Sequence, residues 1–290
     1  MVRAHLLAMT TVLFLATFPA TAQQPVAAVR IESGGKLLAL YKHEQVPFKP
    51  YIRELYTPAG LNVLLDAPPD HLHHHGLMFA IAADGVDFWA ETPKCGKQVT
   101  RSIDAKDGVI STQLDWNNSD GQTLVLERRA IAPQKLDGVT LMTWTTELSL
   151  PPGKTQAKLT GSHYFGMGMR FPRSMDKAAR FLLGQEDPKA DPVRGDEQVR
   201  PMPWVAAQGV IDGKPVTVAL FDSPKNPRHP NRVFTMTDPF SYQSLTLNLW
   251  KEPMILDAGK SLSLKYGVAA WDGHVDKAAV QKTYDQWLKL

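Results

Sequence analysis

Five Asp-Gly dipeptides, each set between short β-prone segments, constrain the fold of this chain more than any other feature. They stand at Asp84-Gly85, Asp107-Gly108, Asp120-Gly121, Asp137-Gly138 and Asp212-Gly213. Because glycine adopts positive φ without a Cβ clash and aspartate tolerates it, the dipeptide suits the two-residue turns of β-hairpins. Short strands separated at regular intervals by such turns predict an all-β sandwich or barrel.

The clearest hairpin is predicted around Asp212-Gly213. Residues 216–221 are apolar on both alternating faces, which is typical of an inner strand covered on both sides. Helical periodicity is strongest in residues 276–288, where Val280, Tyr284 and Trp287 belong to one apolar stripe. Residues 174–184 allow one further short helix, and residues 187–203 have the pattern of a loop. We therefore predict a large antiparallel two-sheet β-sandwich with one C-terminal helix.

The N-terminus has the pattern of a secretory signal peptide. Arg3 precedes an apolar run over residues 6–18, and Ala20-Thr21-Ala22 forms a small-x-small cleavage site. The run of about 13 residues is shorter than the ~20 needed to span a bilayer. We predict cleavage near Ala22, a single domain over residues 23–290, and a periplasmic or extracellular location; an uncleaved anchor is the alternative.

Composition excludes several classes of protein. The formal net charge is +3 without any basic run, so the sequence lacks the positive surface that nucleic acid requires. Cys95 is the single cysteine, so no intramolecular disulfide forms. No G-x-S-x-G elbow, phosphate-binding glycine loop or H-E-x-x-H motif occurs. We predict no cofactor, and the sequence does not indicate an oligomeric state.

The stretch DHLHHHG, residues 70–76, places four histidines within five positions. If it is extended, His71, His73 and His75 share one face while His74 points to the other. Such a density of imidazole in a single segment predicts a functional site, although any one of these side chains also suits a structural hydrogen bond.

Two chemistries fit this histidine cluster. Neutral imidazole is a common ligand of zinc, copper and iron, and His163, His229 or Glu91 are available as a further ligand. A histidine beside a carboxylate also carries protons at neutral pH, because its ordinary pKa is about 6.5. The residues alone leave both open.

Further segments supply groups that suit a sugar. Trp89 offers an aromatic platform for a pyranose, with Asp87 and Glu91 nearby to accept hydroxyl hydrogen bonds. His163 and Arg170 flank two glycines that permit close backbone approach. A proline-rich loop presents three more polar side chains, Asn226, Arg228 and His229.

The sequence resembles the PmoA-like family, a bacterial group of unknown function whose pattern includes an Asp-His-x-His-His-Arg-Gly run. The resemblance extends over nearly the whole predicted mature chain. The matching positions are Asp70, His71, His73, His74, Gly76, Gly85, Asp87, Phe88, Trp89, Pro203, Trp204, Gly209, Pro224, residues 226–230 and Asp272-Gly273. His75 stands where the family has arginine, and Met78 where it usually has tryptophan. His75 is therefore a poor candidate for a shared metal ligand.

The resemblance implies an exported protein connected with sugar breakdown. The histidine stretch is also similar, more weakly, to the His-x-His-Gly-Gly segment of aldose epimerases. Those galactose mutarotase-like enzymes use a β-supersandwich, and two histidines with a carboxylate open the sugar ring. The resemblance implies the same architecture for this chain.

We therefore predict an exported, carbohydrate-active protein acting by acid–base chemistry on a small-molecule or oligosaccharide substrate, of epimerase, lyase or hydrolase type. The predicted proton carriers are His71, His73, His74, Glu91 and His163. The predicted substrate-binding residues are Asp70, Trp89, Arg170, Asn226, Arg228 and His229. The alternatives are a non-catalytic sugar-binding module, a mononuclear metal enzyme and, less well supported by the imidazole density, a structural secreted protein.

Overall fold

The computed structural model describes residues 28–44, 46–185 and 190–290, so the predicted signal peptide lies outside the described residues. Described strands follow one another along the chain as β1 (Ala28–Ser33), β2 (Lys36–Lys42), β3 (Tyr51–Leu55), β4 (Leu77–Ala80), β5 (Ala82–Ala83), β6 (Val86–Asp87), β7 (Lys97–Lys106), β8 (Val109–Asn117), β9 (Thr123–Gln134), β10 (Thr140–Ser149), β11 (Gln156–Thr160), β12 (Gly166–Arg170), β13 (Arg180–Leu183), β14 (Asp191–Pro192), β15 (Gln198–Pro201), β16 (Trp204–Ile211), β17 (Lys214–Asp222), β18 (Arg232–Met236), β19 (Tyr242–Thr246), β20 (Met254–Asp257) and β21 (Leu262–Asp272). The described helices are a 3-10 turn at Arg173–Met175 and α1 (Lys277–Trp287).

The strands form three antiparallel sheets. The nine-stranded sheet has the order β1-β2-β3-β4-β12-β19-β18-β15-β14, and the eight-stranded sheet has the order β13-β16-β17-β21-β10-β9-β8-β7. A small third sheet runs β20-β11-β5-β6. The two large sheets pack face to face around the main core, where the Phe79 ring of one sheet approaches Trp116 and Tyr266 of the other. The predicted antiparallel β-sandwich is confirmed.

The hairpin predicted at Asp212-Gly213 joins β16 to β17. Both turn residues have positive φ, 49° for Asp212 and 73° for Gly213, as a two-residue hairpin turn of this hand requires. Residues 216–222 are all buried, and β17 lies between β16 and β21. The prediction of an inner strand covered on both sides is confirmed.

The predicted C-terminal helix is also confirmed. The side chain of Asp276 caps α1 by accepting a hydrogen bond from the backbone N–H of Ala279 at 2.8 Å. Val280, Tyr284 and Trp287 are buried in a second apolar cluster on the face of the eight-stranded sheet that points away from its partner sheet. The short helix considered for residues 174–184 is not observed beyond the 3-10 turn, because residues 180–183 pair with β16 instead.

Side-chain alternation on β19 separates the core from a second, outer face of the nine-stranded sheet. Gln243 points into the sandwich and donates a hydrogen bond to the carbonyl of Val218 on the opposite sheet. Its neighbour Tyr242 therefore lies on the outer face. On the adjacent strand, a Cβ at Gly168 would lie 1.8 Å from the Tyr242 hydroxyl, so glycine is needed for that ring to lie flat. This outer face forms the floor of the site described below.

Candidate functional site

The histidine loop, residues 70–76, is a turn and not an extended strand. The backbone N–H of His74 donates to the carbonyl of His71 at 2.9 Å, which closes the turn. The predicted alternation, with His75 on the same face as His71 and His73, is therefore wrong. The turn directs three of the four rings to one side and sends His75 to the other.

The rings of His71, His73 and His74 pack against one another. His71 stacks on His74 with ring centroids 4.5 Å apart, and His73 meets His74 edge-on at 4.6 Å. At the rim of the loop, Nδ1 of His71 lies 3.0 Å from the carboxylate of Asp70. Three predicted proton carriers thus form one imidazole cluster.

This imidazole cluster forms one wall of a cleft of about 580 Å³ over the outer face of the nine-stranded sheet. Its lining is mostly aromatic and apolar, with few charged groups. The lining residues are His71, His73, His74, Trp89, Tyr164, Arg194, Gly195, Glu197, Phe234, Met236, Asp238, Pro239, Phe240 and Tyr242.

A continuous series of ring contacts connects the histidine loop to the opposite side of the cleft. His73 meets Trp89 at 5.2 Å between ring centroids, Trp89 meets Tyr164 at 4.9 Å, and Tyr164 meets His163 at 4.9 Å. Each contact is close to perpendicular, the edge-to-face arrangement that aromatic quadrupoles favour. The structure therefore brings His73, Trp89 and His163 together from three separate segments.

Burial keeps the imidazoles of His73 and His74 uncharged at neutral pH. It lowers the pKa of His74 to about 2, because the ring is enclosed by neighbours that include Phe240 and Tyr242. Burial also lowers the pKa of the half-buried His73, with a smaller contribution from the charge of His71. His73 is thus a proton acceptor that remains accessible from the cleft.

Glu197, which the sequence analysis did not identify, lines the cleft with only 4% of its surface exposed. Its carboxylate lies 3.1 Å from Nε2 of His163 and accepts a hydrogen bond from Nε of Arg194 at 2.9 Å. Ser162 lies 3.2 Å from the other ring nitrogen of His163. Burial lowers the pKa of His163, so the neutral ring donates from Nε2 to the carboxylate. No sequence motif marks Glu197, because it lies in a segment with the pattern of a loop.

Glu91 belongs to a separate buried cluster behind the histidine loop. Its carboxylate lies 2.9 Å from Nε2 of His75 and 2.7 Å from Nζ of Lys49. The other nitrogen of His75 lies 2.8 Å from Asp66, and the ring stacks on Tyr51 at 4.0 Å. Burial lowers the pKa of His75, but the hydrogen bonds that the ring donates to the two carboxylates outweigh burial and raise the pKa above its ordinary value. The cluster attaches the loop to the body of the protein, and Glu91 does not line the cleft.

Arg170 is fully buried beneath the cleft. Its guanidinium donates to Asp176 at 3.2 Å and to the carbonyl of Ser241 at 3.1 Å, and lies 4.1 Å from the ring centroid of Phe240. A cation under an aromatic face is attracted by the ring quadrupole, so Arg170 supports a wall of the cleft from behind. Its predicted contact with substrate stays a prediction, and its placement favours a supporting role.

The proline-rich loop is organised around the buried carboxylate of Asp222. That carboxylate accepts hydrogen bonds from the side chains of Asn226 at 2.8 Å, His229 at 2.7 Å and Asn231 at 2.7 Å. Arg228 donates to two backbone carbonyls. These side chains are absent from the cleft lining, so their substrate-binding role stays a prediction while their contacts are those of a structural loop.

We expect Asp222→Asn to lower the free energy of unfolding by about 1–3 kcal/mol, because an amide donor would then face groups that are themselves donors. Urea or thermal unfolding measures this change. Affinity of the cleft for sugars should remain unchanged. A loss of sugar affinity without a loss of stability would instead favour the predicted substrate-binding role of this loop.

The described part of the chain has neither a metal-ligand group nor a membrane-spanning helix. No group of three or more His, Cys, Asp or Glu side chains is arranged there to hold a metal ion. Among the same residues, no helix combines the length and apolar composition that crossing a bilayer requires.

Comparison with known proteins identifies a family and a fold. A model of DUF6807, described as a family of unknown function, matches residues 28–285. No curated protein matches the sequence. A variant GH36 α-galactosidase from Geobacillus stearothermophilus, in complex with 1-deoxygalactonojirimycin, matches with a TM-score of 0.51 and 10% identity. This match covers 85% of the present chain and 40% of the other, so the chain spans about two fifths of that enzyme's length.

A galactose mutarotase related enzyme from Lactobacillus acidophilus matches with a TM-score of 0.41 and 10% identity, covering 86% of this chain and 98% of the other. At such low identity, the likeness to the α-galactosidase shows a shared fold, and the chemistry has to be argued from the site itself.

Proposed function

From the premise that this chain belongs to the DUF6807 family of unknown function, we propose that it is an exported enzyme that acts on sugars or glycosides by acid–base catalysis. The observation that carries the proposal is the joint lining of one aromatic cleft by uncharged imidazoles and a buried carboxylate. We also propose that the chain is related to the PmoA-like family, whose motif pattern it resembles.

The shape and lining of the cleft suit a carbohydrate. A volume of about 580 Å³ falls in the range of small-molecule sites. Exposed ring faces pack against the C–H groups of a pyranose, and polar groups at their edges take up its hydroxyls. The shared fold with an α-galactosidase is consistent with a sugar ligand, on likeness of fold alone.

In the proposed mechanism, His73 accepts a proton from a hydroxyl or from an acidic sugar C–H, since its lowered pKa leaves a free ring nitrogen at neutral pH. The carboxylate of Glu197, which accepts hydrogen bonds from His163 and Arg194 on the other side of the cleft, is a second proton acceptor. In ring opening, one of these two bases takes the proton of the anomeric hydroxyl, the bond between C1 and the ring oxygen breaks as the aldehyde forms, and the protonated base gives that proton to the ring oxygen; closure reverses both transfers. In elimination the base takes a sugar C–H proton, in hydrolysis a proton of the attacking water, and in both it gives the proton to the departing glycosidic oxygen.

The N-terminal pattern supports the proposed export, because its basic start, apolar run and small-residue site are those of a signal peptide. Of the predicted proton carriers, His163 and Glu91 lie outside the cleft lining. His163 acts on the cleft through Glu197, and we propose a positioning role for Glu91 through His75. Asp70 would act at the rim, through His71.

The predominantly aromatic lining favours one second candidate, a sugar-binding protein without turnover. It would use the same ring faces but would not need a proton-carrying pair. The two candidates therefore differ in the expected effect of His73 replacement on turnover.

The proposal is tested by following neutral aldoses and methyl glycosides by polarimetry and NMR with wild type and His73→Gln. We expect about 100-fold slower turnover in the variant, the lower end of the range for a positioned acid or base, because neighbouring imidazoles remain. His43→Gln, outside the cleft, is the matched control and should leave turnover unchanged. Sugar binding without any turnover would favour the binding protein, and failure of every sugar to bind would contradict the proposal.

A further inference from the structure

We propose that the floor of the cleft is a subsite for one hydroxyl group of a neutral pyranose, formed by Trp89, Tyr242 and His74, and that it selects neutral sugars over uronic acids. This inference rests on the proposed function, because it assumes that the cleft binds carbohydrate. It adds the class of sugar and the residues that recognise it.

The first observation is a set of buried polar atoms that lack hydrogen-bond partners. Within the described part of the chain, nothing pairs with Nε1 of Trp89, the hydroxyl of Tyr242 or Nδ1 of His74. The exposed fractions of these residues are 4%, 2% and 5%. Native proteins pair nearly all buried polar side-chain atoms, so three unpaired atoms in one cleft indicate a polar ligand group.

The second observation is that the three side chains belong to one ring cluster. The ring centroid of His74 lies 5.2 Å from that of Trp89 and 5.9 Å from that of Tyr242, and the last two are 6.4 Å apart. Burial raises the pKa of the Tyr242 phenol, and the nearby indole N–H of Trp89 offsets part of this rise although the two fall short of hydrogen-bond geometry. A single ligand group can therefore bridge them.

The hydrogen-bonding character of the trio matches a hydroxyl. The indole N–H only donates, the phenol both donates and accepts, and a neutral imidazole nitrogen does one or the other according to its tautomer. A sugar hydroxyl donates one hydrogen bond and accepts others, so it satisfies a mixed set of partners. Gly168 keeps the Tyr242 hydroxyl in place, because a Cβ there would lie 1.8 Å from it.

Charge decides between a neutral sugar and a uronic acid. Burial keeps His74 neutral by lowering its pKa to about 2. Of the charged groups that line the cleft, Arg194 is paired with Glu197, and Asp238 is paired with Lys177. A sugar carboxylate placed in the cleft would thus meet two carboxylates, and the cations beside them are already paired. Desolvation of an anion without a partner is costly, so the cleft favours a neutral ligand.

The test measures dissociation constants by calorimetry for methyl glucoside, galactoside and mannoside and for the corresponding methyl uronides. We expect wild type to bind at least one neutral glycoside about 10-fold or more tightly than its uronide. Trp89→Phe and Tyr242→Phe, which keep the rings, should each weaken that glycoside by about 10-fold, the effect of one hydrogen bond. A monodeoxy analogue lacking the inserted hydroxyl should bind wild type and Tyr242→Phe equally.

Tyr266→Phe is the matched control, because the Tyr266 hydroxyl is also buried and without a partner among the described residues but lies in the sandwich core. It should leave sugar affinity unchanged. Tight uronide binding, or unchanged affinity in both cleft variants, would overturn the subsite while leaving the proposed function intact. If no glycoside binds wild type, both proposals fail together.

Discussion

Glu197→Gln is expected to lower kcat on the preferred sugar by about 10²–10⁴-fold, the loss that follows removal of a positioned acid or base. Glutamine has the same shape and still accepts a hydrogen bond from Nε2 of His163, which lies 3.1 Å from the carboxylate. It cannot carry a proton. Binding should therefore be nearly unchanged, and the loss should appear in kcat and not in KM.

Steady-state kinetics over a range of substrate concentrations separates these two effects. Glu147→Gln on β10 is a suitable control, because that carboxylate lies on the eight-stranded sheet and outside the cleft lining. A Glu197→Gln enzyme with normal kcat would mean that the carboxylate only holds His163 and Arg194 in place. The proton carriers would then have to be found among the imidazoles alone.

The elements that the sequence predicted are those specified by neighbouring residues. The Asp212-Gly213 turn requires positive φ at two consecutive positions, and only a few residue types supply it. The C-terminal helix is marked by its cap at Asp276 and by an apolar stripe with helical spacing. Each of these signals is contained within a dozen residues, so one sequence suffices to recognise it.

The site was predicted only in part, because its walls are joined by contacts between distant segments. His73 and Trp89 can be identified as candidates from their residue types, and the structure brings their rings into contact. Tyr242 lies at the cleft because β19 pairs with β18 in the nine-stranded sheet. Glu197 lies there because of the path that the chain takes just before β15. Alternation along β19 indicates two faces but does not say which one is the core. No local pattern distinguishes a cleft residue from a core residue in such a strand.

The contacts of His75 are likewise made with distant segments and could not be predicted from neighbouring residues. Because His75 departs from the pattern of the resembling family, the sequence predicts a poor candidate for a shared ligand and gives no indication of its structural partners. Those partners, Asp66 and Glu91, lie 9 and 16 residues from His75 along the chain, and Lys49, which pairs with Glu91, lies 42 residues before that glutamate. The arginine of the resembling PmoA-like pattern and this histidine both provide a cation whose N–H groups can bridge two carboxylates.

We therefore expect His75→Ala to lower the free energy of unfolding by about 3–5 kcal/mol, the usual cost of removing one partner from a buried ionic cluster. The imidazole is 5% exposed and lies between Asp66 and Glu91, so its removal leaves the nearly buried Glu91 and the partly exposed Asp66 with Lys49 as the remaining cation. Urea unfolding measures the change. His43→Ala, outside the cluster, should cost much less, and an equal loss in both variants would contradict the argument.

The same cluster predicts how stability depends on pH. Hydrogen bonds to two carboxylates outweigh burial and raise the folded-state pKa of His75 above its ordinary value of about 6.5. The stabilisation is therefore complete below about pH 6.5 and is lost as pH rises through the raised pKa. Lys49 has the opposite effect on stability: burial lowers its pKa, so its contribution to the free energy of unfolding rises as the pH rises through that pKa. The phenol of Tyr51 stays protonated, because burial raises its pKa.

His75→Arg separates the contribution of His75 from that of its neighbours. Guanidinium stays charged throughout this pH range and offers donors to both carboxylates, while Lys49 and Tyr51 are common to the two proteins. Between about pH 6 and pH 9, wild type should lose stability relative to His75→Arg, as followed by urea unfolding. Parallel curves for the two proteins would show that folding does not raise the pKa of His75, and would contradict the proposal that an imidazolium holds the histidine loop.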